Sequence, residues 1–389
     1  MTLIGIALSL NIAVFVYIWF GYLLLLKLLR CKLLSRDETL HEIQFPRVTI
    51  IVAAHNEELM IKQRIENLFD TDYPLELLSV VVASDGSTDN TLSIARSVEP
   101  KSLVTALEVF PRSGRAGAHN FAVAHLHSNN TLDGILIFTD AETIFNRDTL
   151  LELIRPFKNP KMGYVSGVLK YSNQHKSDVT LNAGLYWRFE QALRQLETDL
   201  GIFAFGTGAV CAVRSELYRE VSPSGDVDFT TPLDVILQGY KCFQSQSAFA
   251  WDSMPETRKQ EFRARVRMTS KNLYGTLTRW GLNGYFKHPI YSWVIWSHKI
   301  GRWLTPFIML MIFVTTLLLL HNKYSLIFLS FQIAFYGVGI VYGLTGRGGK
   351  IASAIFNFLL ANAGFFVGVI MTLFGKVPIF YSPISHDQK

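Results

Sequence analysis

The sequence has little cysteine and little charge for its length. Three cysteines in 389 residues, an odd number, exclude a scaffold built on disulfides and suit a reducing compartment. Charged residues make up 17% of the chain, against roughly a quarter in an ordinary soluble domain. No P-loop and no GxGxxG follows a predicted strand, which disfavours ATPases and dinucleotide-binding enzymes. With 49% hydrophobic residues, the composition indicates a protein that is part membrane-embedded and part water-exposed.

The hydrophobic residues are concentrated in four runs. Residues 3–29 are long enough to cross a bilayer core, which takes about 20 helical residues. Three further candidate spans occupy 303–320, 324–344 and 351–374. Basic residues follow the first run and separate the last two: Lys27, Arg30, Lys32, Arg36, Arg347 and Lys350. The positive-inside rule then predicts four transmembrane helices in a bacterial inner membrane, with the N-terminus outside and the middle of the chain in the cytosol.

These features divide the chain into five parts. The expected boundaries are an N-terminal anchor helix at 1–30, a cytosolic domain at 46–275, an amphipathic segment on the membrane surface at 285–300, three transmembrane helices within 303–375, and a C-terminal tail at 376–389. The surface segment is assigned because it mixes aromatic, basic and aliphatic residues. A plain packing helix at 285–300, and buried core helices in place of the spans, are the alternatives.

Short β-branched runs alternate with helical patterns in the cytosolic part. Strands are expected at 48–54, 78–84, 103–109 and 134–140, and helices at 57–69, 89–98 and 116–127. The alternation predicts an α/β domain with a mostly parallel sheet. Ligands of such sheets bind beyond the carboxyl ends of the strands, so the residues there are the first candidates for a site.

Acidic residues follow three of the four predicted strands. They are Glu57 after the first strand, Asp85 after the second, and Asp140 with Glu142 after the fourth. Each position alone is equally well explained as a helix cap, a turn or a solvated acid. Together, two carboxylates leaving one strand are suited to Mg²⁺ or Mn²⁺, which prefer oxygen ligands and bind diphosphates. Arg115 is a candidate phosphate ligand.

In its ordered motifs, the chain resembles family 2 glycosyltransferases of the GT-A fold, in the membrane-embedded branch that includes cellulose, chitin, hyaluronan and poly-N-acetylglucosamine synthases. The motifs run from VAAHNEE through DGSTD, the segment around Arg115, TDAE and FGTGAVCAVR to EFRARVRM, covering about residues 48–268. The resemblance implies a Rossmann-like cytosolic domain held by transmembrane helices.

The resemblance also implies roles for single residues. The implied nucleotide-sugar ligands are Ala53, His55, Glu57, Asp85, Arg115, Asp140 and Arg267. Asp140 and Glu142 would bind the metal ion, and Gly206, Thr207 and Gly208 would lie against the acceptor sugar. Asp228 takes the place of the general base, with Asp226 and Asp234 as the other candidates. Arg263 and Arg265 are equally well explained as ligands or as a basic face toward lipid headgroups.

Three positions depart from the family pattern. Val227 replaces the usual acid, Ala264 replaces Gln, and Met268 replaces the Trp that stacks on the acceptor sugar in processive synthases. The last departure leaves processive chain extension open.

The sequence therefore predicts a metal-dependent, inverting transferase that uses a nucleotide-sugar, with UDP expected. The acceptor would be a polysaccharide or a lipid-linked saccharide, and partner subunits for export are possible. No nucleic-acid partner is expected. The alternative is a membrane carrier or scaffold with a catalytically inactive, nucleotide-binding domain.

Overall fold

The structure is a computed structural model that describes residues 3–33, 45–174 and 176–380. The predicted basic position Arg36 and the part of the predicted tail beyond residue 380 lie outside these residues, as does the side chain of Lys32.

One sheet organises the described part of the α/β domain. Its strands are β1 (Val48–Ala54), β2 (Leu78–Asp85), β3 (Val104–Val109), β4 (Ile135–Asp140), β5 (Ile144–Phe145), β6 (Met162–Tyr171), β7 (Cys211–Arg214) and β8 (Lys241–Asp252). Their order across the sheet is β3-β2-β1-β4-β7-β6-β8-β5. The β3-β2-β1-β4 part is parallel, whereas β7 is antiparallel to both of its neighbours, β4 and β6. The predicted α/β class and the four predicted strands are confirmed, and the sheet as a whole is mixed.

Helices flank the sheet and form a separate bundle. They are α1 (Leu3–Val16), α2 (Tyr22–Leu33), α3 (Ile61–Phe69), α4 (Thr91–Ser97), α5 (Gly114–Ser128), α6 (Thr149–Ile154), α7 (Asp178–Asp199), α8 (Val227–Leu237), α9 (Arg258–Gly275), α10 (Gly281–Lys287), α11 (Pro289–Val294), α12 (Gly301–Leu317), α13 (Lys323–Thr345) and α14 (Gly349–Leu373). Short π-helical segments join α1 to α2 and α11 to α12.

The central strands are apolar on both sides because both faces of the sheet are covered. Ile51 and Phe138 belong to the core on one face, whereas Ile50 and Ile137 belong to the core on the other. All four side chains are fully buried. Continuous hydrophobic runs of this kind are typical of parallel strands covered on both faces. Polar residues are therefore concentrated at the strand ends, where the chain leaves the sheet.

Within the described residues, four helices are long and apolar enough to cross a membrane: Leu3–Cys31, Pro289–Leu317, Lys323–Thr345 and Gly349–Leu373. Their number matches the four predicted spans. The second begins at 289, earlier than the predicted 303, because α11 and α12 form one continuous helix. Most of the predicted surface segment at 285–300 therefore belongs to this helix, and His298 and Ile300 within it are buried in the protein. Its place at a membrane surface stays a prediction.

Helix α14 contacts the α/β domain at both of its ends. Near its start, Ser353 accepts a hydrogen bond from Asn182 of α7 (2.9 Å). Near its end, the Thr372 hydroxyl donates to the carbonyl of Ser270 in α9 (3.1 Å). The chain beyond α14 then reaches the start of α5, where Ile379 lies against Gly114. Both ends of α14 thus lie against the α/β domain, and a crossing of the bilayer by this helix, as the four-span prediction requires, stays a prediction.

Candidate active site

A cleft of about 810 Å³ opens at the carboxyl ends of the parallel strands. One wall is the edge of the sheet with the start of α5, and the opposite wall is α9. The inner end of the cleft reaches α7, α12 and α14. Eight of the predicted site residues line it: Ala53, His55, Glu57, Asp85, Arg115, Asp140, Glu142 and Arg267. The residues that the strand-end argument predicted, Glu57, Asp85, Asp140 and Glu142, therefore lie in one cleft although they are far apart in the sequence.

Asp85 holds the start of α5 in place. Its carboxylate accepts hydrogen bonds from the backbone N–H groups of Ser113 (2.6 Å) and Gly114 (2.9 Å). Its backbone carbonyl lies 2.7 Å from Nδ1 of His55, so that ring nitrogen carries the proton and donates. Asp85 thus fixes one wall of the cleft and orients His55, and it lines the cleft itself.

Arg115 and Asp140 form an ion pair across the cleft floor. Nε of Arg115 lies 2.9 Å from Oδ1 of Asp140. Burial opposes the charge on Arg115, but Asp140, Asp228 and Asp226 outweigh burial and raise its pKa. Nη2 of Arg115 is buried without a hydrogen-bond partner among the residues that the structure describes. A fixed guanidinium with unused donors is suited to binding diphosphate oxygens.

Carboxylates crowd the edge of the sheet beyond β1, β4 and β8. Burial, followed by the charges of Glu142 and Asp140, raises the pKa of Glu57 to about 7. Burial and Glu142 likewise raise the pKa of Asp252 to about 7. Asp252 is the last residue of β8, so the strand-end rule would have found it had that strand been predicted. A cation placed among these groups would relieve their repulsion.

The donor set at this edge fits a hard divalent cation. Asp140 and Glu142 supply carboxylate oxygens, which Mg²⁺ and Mn²⁺ prefer. Among the described residues, no three His, Cys, Asp or Glu side chains converge into a complete metal site. A cation bound by Asp140 and Glu142 would therefore take its remaining ligands from water or from the donor diphosphate.

The three candidates for the general base occupy different places around α8. Asp226, the N-cap residue of α8, lines the cleft and pairs with the buried Lys271 (3.1 Å). Asp228 is half-buried beside it and does not belong to the cleft lining. Burial and the neighbouring Asp226 raise the pKa of Asp228, against the opposing charge of Arg115. Asp234 lies further along the helix, 3.7 Å from Arg279, and is also outside the lining.

The predicted acceptor segment Gly206–Thr207–Gly208 is buried beneath the cleft and does not line it. The Gly206 N–H donates to the backbone carbonyl of Asp228 (2.8 Å). Nη1 of Arg194 donates to the Gly206 carbonyl and to the Thr207 hydroxyl, both at 2.9 Å. A Cβ on Gly208 would lie 2.5 Å from Nη2 of Arg115. The small residues therefore give Arg115 and Asp228 room, and a contact with an acceptor sugar stays a prediction.

Helix α9 lines the cleft with the residues of the EFRARVRM motif. Arg263, Arg265 and Arg267 all line it. Arg265 is held by Glu261 (2.7 Å) and lies over the ring of Tyr186 at 4.3 Å. Its role in the structure is thus a buried ion pair, and only part of this basic face is available to lipid headgroups. Met268, at the position of the family Trp, is 46% exposed and lines the cleft.

A buried ionic cluster closes the inner end of the cleft, and no local sequence pattern predicted it. Glu190 of α7 accepts from Arg194 (2.9 Å), Arg302 (2.8 Å) and the ammonium of Lys299. Glu190 also lies 3.1 Å from the ring of His298. Lys299 and Arg302 belong to the candidate membrane helix 289–317, so the cleft extends from the sheet to the helical bundle.

Comparison with known proteins relates the domain to a family of enzymes. Residues 49–222, a little under half of the chain, match the sequence model of glycosyl transferase family 2. This part of the chain is therefore similar to family 2 glycosyltransferases. A probable glycosyltransferase of Bacillus subtilis, YdaM, is 24% identical over 246 residues, which is 60% of this chain and 57% of the relative. Poly-beta-1,6-N-acetyl-D-glucosamine synthase of Staphylococcus aureus is 23% identical over 57% of this chain and 53% of its own length. The chain thus spans a little over half the length of these curated relatives.

The glycosyltransferase fold extends beyond the matched residues. The mannosyltransferase PcManGT of Pyrobaculum calidifontis, solved in complex with GDP-Man and Mn²⁺, superposes with a TM-score of 0.68 over 95% of this chain and 99% of its own. At 20% identity, this likeness shows the fold alone. The predicted GT-A class is confirmed. Of the predicted site, residues 53–142 lie inside the family match, whereas Asp228 and Arg267 lie beyond it.

Proposed function

We propose that this glycosyltransferase domain transfers a hexose from a UDP-sugar to a polysaccharide or lipid-linked saccharide acceptor, in the synthesis of cell-surface polysaccharide. One observation carries the proposal: the cleft joins the strand-end carboxylates and Arg115 to the basic face of α9, and continues to the candidate membrane helices. The strand-end carboxylates and Arg115 suit a nucleoside diphosphate. The continuation toward the candidate membrane helices gives an acceptor in the membrane access to the donor sugar.

The reaction we propose is a single inverting displacement. An acceptor hydroxyl attacks the anomeric carbon as its proton passes to Asp228, and the bond from that carbon to the diphosphate oxygen breaks. Burial and Asp226 raise the pKa of Asp228, which suits a group that takes up a proton. Asp226, fixed by Lys271, keeps negative charge beside Asp228 and sustains that shift. Arg115 and Arg267 bind the departing diphosphate.

Asp140 and Glu142 would hold Mg²⁺ or Mn²⁺ in this scheme. When bound, the cation neutralises charge on the leaving diphosphate. The mutual repulsion that raises the pKa of Glu57 supports a cation at this edge of the sheet. PcManGT was solved with Mn²⁺ together with a nucleotide-sugar, which agrees with this assignment.

For the membrane, we propose three crossing helices with the catalytic domain in the cytosol. These are 3–31, 289–317 and 323–345. Helix α14 lies along the domain at the membrane face, because it contacts α7 near its start and α9 near its end. The N-terminus is then outside, and the chain after α14 returns to the cytosolic side.

The function is tested by incubating membranes that contain the protein with a panel of radiolabelled UDP-sugars, with Mn²⁺ or with a chelator, and sizing the product. We expect one sugar to be incorporated in a metal-dependent way. A long product indicates processive synthesis, and a product extended by one sugar indicates single addition. Nucleotide binding without incorporation of any sugar would favour the inactive carrier or scaffold instead.

A further inference from the structure

An apolar groove of about 480 Å³ lies between α9, α12, α13 and α14. Apart from Tyr336 and Asn362, its lining is apolar. Ala363 of α14 is exposed within it, so the groove is open along this side. Three of the helices that form the groove, α12, α13 and α14, belong to candidate membrane spans, which gives the groove access to lipid.

The groove continues directly into the catalytic cleft. Phe262 of α9 and Val367 of α14 line both cavities. A ligand that fills the cleft can therefore extend into the groove without leaving the surface of these two helices.

One face of the 289–317 helix runs from charged to apolar along this path. Lys299, Arg302 and Trp303 line the cleft, and Pro306, Met309, Leu310 and Phe313 line the groove. Spacings of three and four residues put these side chains on one side of a helix. The part from the charged Arg302 to Phe313 is about 16 Å long at the rise of an α-helix. This face of the helix, the track from Lys299 to Phe313, thus offers cations at one end and hydrocarbon contacts along the rest.

The charged end of the track carries more positive than negative charge. Glu190 is shared by Arg194, Lys299 and Arg302, all of which line the cleft. Glu190 and the buried Glu197, which lies 2.6 Å from the His298 ring, are two carboxylates against these three basic side chains, so an anion at this point would be stabilised.

Given the proposed function, we infer that the acceptor is a long-chain lipid that carries its saccharide through a phosphate or diphosphate. The hydrocarbon chain lies in the groove, the phosphate faces Lys299 and Arg302, and the saccharide reaches toward Asp228 and the donor. An amphiphile with an anionic junction matches both the order and the chemistry of the track. A polysaccharide has no hydrocarbon chain for the groove.

The inference is tested by photolabelling the full-length protein in phosphatidylcholine nanodiscs. The probe is a long-chain isoprenyl diphosphate with a diazirine at the far end of its chain. We expect crosslinks in residues 306–313 and 362–367, displaced by unlabelled isoprenyl diphosphate and not by the isoprenol that lacks the diphosphate. Crosslinks spread over the exposed face of α13, or equal displacement by the isoprenol, would overturn it.

Two alanines of α14 provide a matched pair of variants. Ala363→Phe fills the groove, whereas Ala354→Phe adds the same ring at another exposed position of the helix, outside the groove lining. We expect Ala363→Phe to lower labelling about tenfold, because it removes the space for several CH₂ groups. Ala354→Phe should label as the wild type does. Equal labelling of both variants would contradict a chain bound in the groove.

UDP-sugar turnover, measured on the same preparations, separates this inference from the proposed function. If no UDP-sugar is turned over, the proposed function fails. A different result would make only the inference fail. In that case donor sugar is transferred, wild type and Ala363→Phe elongate a soluble oligosaccharide equally well, and neither elongates the lipid-linked saccharide. The acceptor would then be a polysaccharide.

Discussion

Gly208 leaves space for the guanidinium of Arg115. A methyl group at this position would lie 2.5 Å from Nη2, so the guanidinium would have to move away from Asp140. We expect Gly208→Ala to weaken UDP-sugar binding about tenfold, since a charge-assisted contact to the diphosphate is worth about 1.5–3 kcal/mol. Isothermal titration with the donor measures the effect. Gly184→Ala is the control, because a Cβ there meets Gln174 at an ordinary 3.7 Å. If both variants bind the donor equally well, Arg115 does not contribute to donor binding.

Glu57 gives the site a dependence on pH. Burial and the neighbouring carboxylates raise its pKa from 4.5 to about 7, so the folded state favours its protonated form. Its stabilising contribution is therefore complete at low pH and is lost as the pH rises through about 7. In a chelator, Glu57→Gln should raise the melting temperature at pH 8 and leave it unchanged at pH 4. An equal increase at both pH values would show that ionisation of Glu57 is not the cause.

At the scale of elements, α14 packs on α9 through two glycines. A Cβ at Gly364 would lie 2.7 Å from Cβ of Arg265, and a Cβ at Gly368 would lie 2.9 Å from the backbone carbonyl of Val266. Gly368→Val should therefore separate the helices and destabilise the protein by about 1–3 kcal/mol. Thermal unfolding in one detergent measures this. Gly337→Val in α13 is the control, because nothing lies within 4 Å of a Cβ there. Matching losses in the two variants would argue against the α9–α14 contact.

The sequence predicted the elements whose signals are local. The strands β1, β2 and β4 are unbroken apolar runs, and the acids that follow them line the cleft as expected. The cluster around Glu190 was not predictable, because its partner Arg302 lies 112 residues away in a different element. Hydropathy alone does not distinguish a crossing helix from one that lies along a protein surface, since it measures affinity for an apolar environment and both surroundings provide one.

For the molecule as a whole, the fold makes a prediction about sidedness. If α14 lies along the domain, the chain after it is on the same side as the domain. In a Cys31→Ser background, Lys376→Cys and the domain variant Glu76→Cys should react with an impermeant maleimide from the same face of the membrane. His321→Cys, between α12 and α13, should react from the other. All three positions are exposed, whereas Cys211 and Cys242 are buried. Labelling of Lys376→Cys from the same face as His321→Cys would support four crossing helices.

The central claim is that this cleft transfers sugar with Asp228 as the base. The most direct measurement compares sugar transfer and UDP binding in Asp228→Asn, with Asp234→Asn as a control further along the same helix, where the carboxylate pairs with Arg279. We predict that Asp228→Asn abolishes transfer, because the amide cannot accept the proton, and that it keeps UDP affinity within about threefold of the wild type. Asp234→Asn should stay active. Full transfer by Asp228→Asn would contradict the account, and loss of transfer in Asp226→Asn alone would move the base to Asp226.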